Sequence, residues 1–203
     1  MIITRLPVPE QAEIISIDEI KEFCRIDEEL DAVCSSTLSI LCNAAIETGE
    51  QETGIIWRAA DYEIEHLSRQ GPRRSNIILP ITPVFELDSL VLIGEDGVGI
   101  EVDDTEYIFR PSDLENRRPW AVISPVNQWR TLASSFNVKL KAGWTATSLP
   151  RALKSWALNR IASANEFRTD MQPSTRETIS AMPRNHVERL LDRYRVMGGP
   201  GYG

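Results

Sequence analysis

Apolar and polar positions along the chain change period twice, and those changes divide it. Residues 1–15 read as an extended arm, because Pro7 and Pro9 both disfavour helix. Ser16-Ile17-Asp18-Glu19 then forms a capping box, in which Ser16 accepts from the Glu19 amide and Glu19 reaches back. A short helix to about Arg25 is predicted, burying Ile17, Ile20 and Phe23 or Cys24. Asp27 caps a second helix from Glu28 to about Thr53, with Gly54 placed to end it in the left-handed region. At 1.5 Å per residue this helix is roughly 37 Å long. Leu30, Cys34, Thr37, Leu41, Ala44 and Thr48 recur along it at the 3.5-residue spacing of a helix seam. Leu38, Ile40, Cys42 and Ile46 widen the apolar surface, so contact from two sides is expected. Gly49 inside it costs about 1 kcal/mol of helix propensity and weakens the last turn.

From residue 56 the period falls to two. Tyr62, Ile64 and His66 alternate with Glu63, Glu65 and Leu67. Ile77-Ile78-Leu79 is bounded by Pro80 and Pro83, and Leu87 to Ile93 runs into the hairpin signal Glu95-Asp96-Gly97, with Gly99 to Val102 beyond it. Further short strands are predicted at 107–110, 121–124 and 136–141. Turn residues every 8 to 12 positions make residues 56–142 a small antiparallel sheet or barrel.

Helix returns after Gly143. Ser148-Leu149-Pro150 is a start signal, since the first turn does not need the donor that Pro lacks. Leu153, Ala157, Ile161 and Ala164 form one face to about Phe167. Residues 169–183 are polar and Pro-bounded, a loop or linker. Arg184 to Arg195 is a short amphipathic helix with Val187, Leu190, Leu191 and Tyr194 on one side, followed by a Gly-rich tail. The expected class is α+β. A helical core (16–55 and 143–168) carries a small antiparallel β insertion (56–142), and the linker at 169–183 leads to a detached C-terminal helix and tail at 184–203.

Charge sharpens this division. The 203 residues carry a formal net charge of −8, with 30 acidic and 22 basic side chains. Residues 1–110 hold 23 acidic and 8 basic groups, and residues 111–203 hold 7 and 14, nearly all of the latter arginine. An acidic chain does not suit a general nucleic-acid binder, which needs a basic face. The asymmetry suits head-to-tail association between copies, or equally the packing of the two halves within one chain. No stretch approaches the ~20 apolar residues of a membrane span, and the N-terminal residues lack the pattern of a secretory signal. Cys24, Cys34 and Cys42 are an odd set in helical sequence, read as reduced, buried thiols of a cytosolic protein.

No catalytic constellation emerges. His66 and His186 have no Cys or carboxylate at metal-ligand spacing and read as structural. The chain has no GxSxG, GxGxxG or Walker-type loop. Glu63 and Glu65 share one side of a strand in the manner of a glycosidase pair, but the exposed side of a half-buried strand explains them more simply. Glu101, Asp103, Asp104 and Glu106 make an acidic loop, a cation site or, more simply, a solvated turn. Trp57, Trp120, Trp129, Trp144 and Trp156 are dispersed, as core or interface anchors. No metal and no cofactor is implied.

Five stretches in order resemble one family. Residues 15–27, Ile-Ser-Ile-Asp-Glu-Ile-Lys-Glu-Phe-Cys-Arg-Ile-Asp, resemble the (I)SLDEAKxHLRID opening of phage head–tail connector proteins, the head-completion adaptors beneath the portal. Glu52-Thr53-Gly54 stands where that family has YTG at the end of its long helix. Ala142-Gly143-Trp144 with Leu149-Pro150-Arg151-Ala152-Leu153-Lys154 resembles its AGY…(V)PxxLKxAI, and Asn165-Glu166-Phe167-Arg168 its YExR. Leu190-Leu191-Asp192-Arg193-Tyr194-Arg195-Val196 is similar to its closing LLxPYRV. Cys24 replaces the usual Leu, Arg193 stands where Pro is frequent, and the β insertion varies too much within the family for its role to carry over.

The resemblance implies a structural, non-enzymatic subunit of a tailed phage or prophage virion, located at the head–tail junction and assembled in the host cytoplasm. It implies a homo-oligomeric ring, typically of twelve copies, docked on the portal protein and receiving a stopper or tail protein below. DNA passes through the channel without specific binding, and no membrane is involved. Arg184, Val187, Leu190, Leu191, Tyr194, Arg195 and Tyr202 are the candidate portal contacts; the alternative is that this helix packs back on its own subunit. Two other functions stay open: a stopper or tail terminator one layer lower, and a small hydrolase or sugar-binding domain using the β insertion.

Overall fold

The computed structural model describes residues 1–6, 13–26, 31–67, 76–129, 135–166 and 184–196. These fall into two compact units, a β unit built from the N-terminal strand and Arg58–Thr145, and a helical unit built from Glu13–Trp57 and Ala146–Arg195. The linker expected at 169–183, the Gly-rich tail and Tyr202 lie outside the described residues.

Among the described residues the β unit contains eight strands: β1 (Ile2–Arg5), β2 (Ala60–Leu67), β3 (Ile77–Ile78), β4 (Val84–Ile93), β5 (Gly99–Glu101), β6 (Tyr107–Arg110), β7 (Val122–Pro125) and β8 (Ser135–Ala142). They form a five-stranded sheet in the order β1-β2-β8-β4-β5 and a three-stranded sheet in the order β3-β7-β6, with every pairing antiparallel. The expectation of a small inserted sheet is therefore corrected. β1 comes from outside the insertion and extends the larger sheet through its ladder with β2. β4 is ten residues long and bridges β8 to β5.

Period-two alternation becomes a core on one face of that sheet. Ile64, Val138 and Leu90 stand side by side across β2, β8 and β4, and all three are fully buried. Beside them His66 packs on Phe136, with ring centroids 5.0 Å apart. Burial is also the main cause that lowers the His66 pKa from its usual value. The opposite face is charged: Lys141 Nζ lies 3.0 Å from Glu86 and 3.5 Å from Asp88, and Asn137 Nδ2 donates to Glu63 Oε1 at 2.9 Å.

Loop contacts fix where β4 begins. Val84 N donates to Ser112 Oγ at 3.0 Å, Ser112 N donates back to Val84 O at 2.9 Å, and Thr82 Oγ1 donates to Pro119 O. The Thr82–Pro83 bond is cis. At the end of β8, Gly143 takes φ 93°, where a Cβ would stand 2.3 Å from the Arg58 carbonyl oxygen. Only glycine permits that approach, which lets Ala59 N reach Trp144 O at 3.0 Å.

Among the described residues four helices form the other unit: α1 (Ile17–Cys24), α2 (Asp31–Thr53), α3 (Arg151–Glu166) and α4 (Arg184–Asp192). The capping box at Ser16 and Glu19 is present with both reciprocal bonds. Gly54 ends α2 at φ 70°, its N–H donating to Glu50 O at 2.8 Å. The buried side of α2 is Leu38, Cys42, Ala45, Ile46, Gly49 and Thr53. It lies about one residue around the helix from the expected seam, of which Thr37, Leu41 and Thr48 are half-buried and Ala44 is exposed. The physical reason is that apolar and small residues are spread around α2 with little bias to one side, so periodicity alone does not choose a face. Cys34 and Leu30 lie outside what the structure describes of side chains.

Trp57, fully buried, holds the end of α2 in place. Its Nε1 donates to Thr53 Oγ1 at 3.2 Å, its backbone N donates to Glu50 Oε1 at 2.8 Å, and its ring meets Trp156 of α3 edge to face, centroids 5.8 Å apart. Trp129 and Trp144 are buried as well, and Trp120 is half-buried, so four of the five tryptophans serve the core. Leu153, Ala157 and Ile161 of α3 are buried as expected, whereas Ala164 is only half-buried.

Candidate functional site

The expected docking helix is not detached. α4 packs on α2 and α3 within the helical unit, with Leu191 fully buried and Tyr194 7% exposed. An amphipathic helix in water buries its apolar stripe on whatever partner is at hand, and here the partner is the same chain. The end of α4 turns on Tyr194 N to Leu191 O at 2.8 Å and Arg195 N to Leu191 O at 3.1 Å. Arg195 lies 3.2 Å from Asp192 and 3.6 Å from Glu52 at the end of α2.

The seven residues singled out from sequence therefore separate. Leu191 and Tyr194 belong to the core, Val187 and Leu190 are half-buried beside it, and Arg195 is at the surface with its guanidinium engaged by two carboxylates. Arg184 opens α4, but its side chain, like Tyr202, lies outside the described residues. The structure thus brings together Val187, Leu190, Leu191, Tyr194 and Arg195, and leaves part of the first two and the arginine accessible to a partner.

A second surface of the same unit carried no sequence signal. Glu19, Glu22, Phe23 and Arg25 of α1 and its cap, with Lys154 and Leu158 of α3, line an open groove. Glu19 and Lys154 form an ion pair at its rim. The hydrogen bond from Lys154 holds the Glu19 carboxyl below its usual range, against the raising effect of burial. Of the pair Phe23 or Cys24 expected inside, Cys24 is half-buried and Phe23 is 44% exposed at this groove. Ile20 takes the core position with Ile17 and Cys24 half-buried beside it, and Phe23 falls at the edge of that face, where it opens on the groove. Cys24, half-buried, has its thiol pushed up by burial and then by Glu166, opposite to the thiolate that a nucleophile requires.

Two carboxylates of the acidic loop are spent internally. Asp103 Oδ1 accepts from Thr105 N at 2.9 Å and from Thr105 Oγ1 at 2.7 Å, and Asp104 Oδ1 accepts from the Tyr107 hydroxyl at 2.6 Å. Burial and that bond together push the Tyr107 hydroxyl above its usual range. A cleft of about 110 Å³ beside the loop is lined by Leu92, Ile100, Glu101, Val102, Glu106 and Trp129, together with Asp103. Among the described residues no three His, Cys, Asp or Glu side chains are grouped to hold a metal ion. Glu63 and Glu65 stand on the charged outer face of the five-stranded sheet, opposite Lys139 and Asn137. That face is a ladder of alternating charge, not a walled site. Among the described residues no helix is long and apolar enough to cross a membrane.

No family model matches the sequence, and no curated protein matches it. Solved structures do. The chain superposes on one from the virion of a native gene transfer agent particle with a TM-score of 0.71 and 21% identity, covering 99% of this chain and 98% of the other. It superposes on a chain from the neck of the empty particle, computed with C6 symmetry, with a TM-score of 0.69 at the same identity and coverage. For a chain from the neck of the native particle, computed with C12 symmetry, the TM-score is 0.61, again at 21% identity and the same coverage. This chain therefore shares their fold from end to end. Side chains have diverged four times in five, so residue roles do not transfer with the backbone.

Proposed function

We propose that this protein is a structural head–tail connector of a phage-like particle, one subunit of a ring seated beneath the portal. The observation that carries this reading is the fold shared over 99% of the chain with a virion chain of a gene transfer agent particle. The neck structures with C6 and C12 symmetry support a ring, and twelve is the number that the connector resemblance implies. Separate stretches of sequence, from the capped α1 to the α4 closing motif, support the same family.

The physics is consistent with the role. A wall around a DNA passage must not grip phosphate, and a chain of net charge −8 repels it, so the genome slides. A ring needs heterologous faces, for which an acidic first half and an arginine-rich second half are suited. In this reading no reaction is catalysed and no cofactor is held. The portal contact uses what α4 leaves accessible, Val187, Leu190 and Arg195, with Arg184 and Tyr202 beyond.

Light scattering of the purified protein, alone and mixed with its cognate portal, tests the proposal. The expected result is a portal-bound ring. A chain that ignores portal but binds tail protein belongs one layer lower, as a stopper or tail terminator, and the adaptor assignment falls.

A further inference from the structure

The five-stranded sheet stops at β1 and at β5, and among the described residues no strand pairs with the outer side of either. Leu6 N donates to Asp61 O at 2.9 Å. Alternation along β1 therefore turns Ile2 and Thr4 toward β2, and turns the backbone N–H and C=O of Ile3 and Arg5 outward. On the far edge, Val102 N donates to Leu90 O at 2.9 Å and Gly94 N to Val98 O at 3.1 Å, which turns the backbone of Gly99 and Glu101 outward. The apolar face of the sheet also runs off both edges. Ile3 stands beside Ile64 at the end of the row through Val138 and Leu90, and Ile100 stands beside Leu92 at the end of the row from Phe136. The inner members of both rows are buried, yet Ile3 is 44% and Ile100 49% exposed. Open edges this apolar are templates for another strand. Their charges are opposite. Arg5 is the one charged side chain of residues 1–6, whereas residues 94–106 carry Glu95, Asp96, Glu101, Asp103, Asp104 and Glu106 and no base.

We infer that the outer edge of β1 pairs with the outer edge of β5 in a second copy of this chain, so that one sheet continues into the next. The inference rests on the ring reading and names a contact between its copies. With five strands and every pairing antiparallel, β1 and β5 run in the same direction. Joined with their apolar faces on one side, the two edges pair in parallel. Setting Ile3 opposite Ile100 lets Ile3 N donate to Gly99 O, Glu101 N to Ile3 O and Arg5 N to Glu101 O. The two isoleucines then cover each other on the apolar face, and Arg5 comes beside the acidic stretch that starts at Glu101. A contact between like edges has no such match, since it sets the acidic hairpin against itself or leaves Arg5 without an acid. Joining unlike edges makes the contact heterologous, and it repeats in one direction around a ring.

Disulfide trapping reads this contact directly, because neighbouring strands lie within the span of a disulfide. Full-length Ile3→Cys and Ile100→Cys chains are oxidised on the cognate portal, each alone and as an equimolar mixture, with wild type as the control for the native cysteines. Both positions are substantially exposed, so the fold should persist, and circular dichroism checks this. The expected result is a covalent dimer from the mixture and from neither variant alone, and a ladder of higher species from a chain carrying both changes. Ile100→Lys, and Ile3→Lys from the other edge, should weaken assembly on the portal about tenfold in sedimentation velocity. If either cysteine variant alone gives the dimer, the contact is two-fold and the inference is overturned. If wild type assembles but the mixture gives no dimer, or both lysine variants assemble as wild type does, this contact is wrong while the ring reading stands. If wild type stays monomeric even on the portal, both readings fall.

Discussion

Gly49 of α2 faces the Trp57 ring so closely that a Cβ at that position would lie 2.5 Å from two of its atoms and 3.1 Å from Trp156. The glycine is thus the socket for a tryptophan pair, and its cost in helix propensity is offset by the burial of Trp57. Gly49→Ala should gain about 1 kcal/mol of propensity but lose more to overpacking, for a net destabilisation of ~1–2 kcal/mol. Thermal unfolding followed by circular dichroism should show a melting temperature lowered by several degrees. A raised one would contradict the packing described.

Gly143 is under stricter constraint. Its φ of 93° and a would-be Cβ 2.3 Å from backbone leave no side chain to move aside. Gly143→Ala should therefore cost ~3 kcal/mol and act on the β unit first. Amide exchange of the β2 and β8 strands is the direct measurement, with protection lost there before it is lost in α2 and α3.

The ion pair of Glu19 and Lys154 gives stability a pH dependence. Because the folded Glu19 carboxyl titrates below its unfolded value of 4.5, its contribution is complete above that value and is lost as pH falls through the depressed one. Asp113 behaves alike. Hydrogen bonds from Asn116, then Arg118, hold its carboxyl at about 2 instead of 3.8, so that contribution disappears between those values. Chemical denaturation at a series of acidic pH values should give a shallower slope for Glu19→Gln and for Asp113→Asn than for wild type.

Folding and docking separate along α4. Leu191→Ala should destabilise the helical unit by ~2–5 kcal/mol, as for any fully buried leucine. Val187→Asp should leave the melting temperature within a few degrees of wild type and yet abolish portal binding. Removing everything from residue 182 would mix the two effects, since it strips Leu191 and Tyr194 from the core. Calorimetry for stability and light scattering for binding distinguish them.

Most of the element order was legible because local chemistry dictates it. The capping box at Ser16, the glycine stop at Gly54 and the strand at 107–110 each depend on residues within a few positions of one another. What escaped depends on partners far along the chain. β1 is four residues beside two prolines, and only its ladder with β2 makes it a strand. The burial of Trp156 has no local signal in α3, because it depends on Trp57. The apolar and small residues of α2 are spread around the helix and give no local reason to prefer one face. Docking surfaces have no motif at all. Ile3 and Ile100 look like inward-facing strand residues until the sheet is seen to stop at their strands.

The interleaving of the two units along the chain governs how the protein can be made. β2 finds its central partner only in β8, which ends at Ala142, and α2 waits for α3, which ends at Glu166. Neither unit is contiguous in sequence, so the helical unit cannot close until the whole inserted sheet and then α3 have been synthesised. At ~5–20 residues per second, the apolar faces of α2 and β2 stay uncovered for several seconds after they emerge. Folding is thus a late event dominated by distant contacts, slow for a chain of this size. During that interval, nascent copies on neighbouring ribosomes are the partners each must avoid.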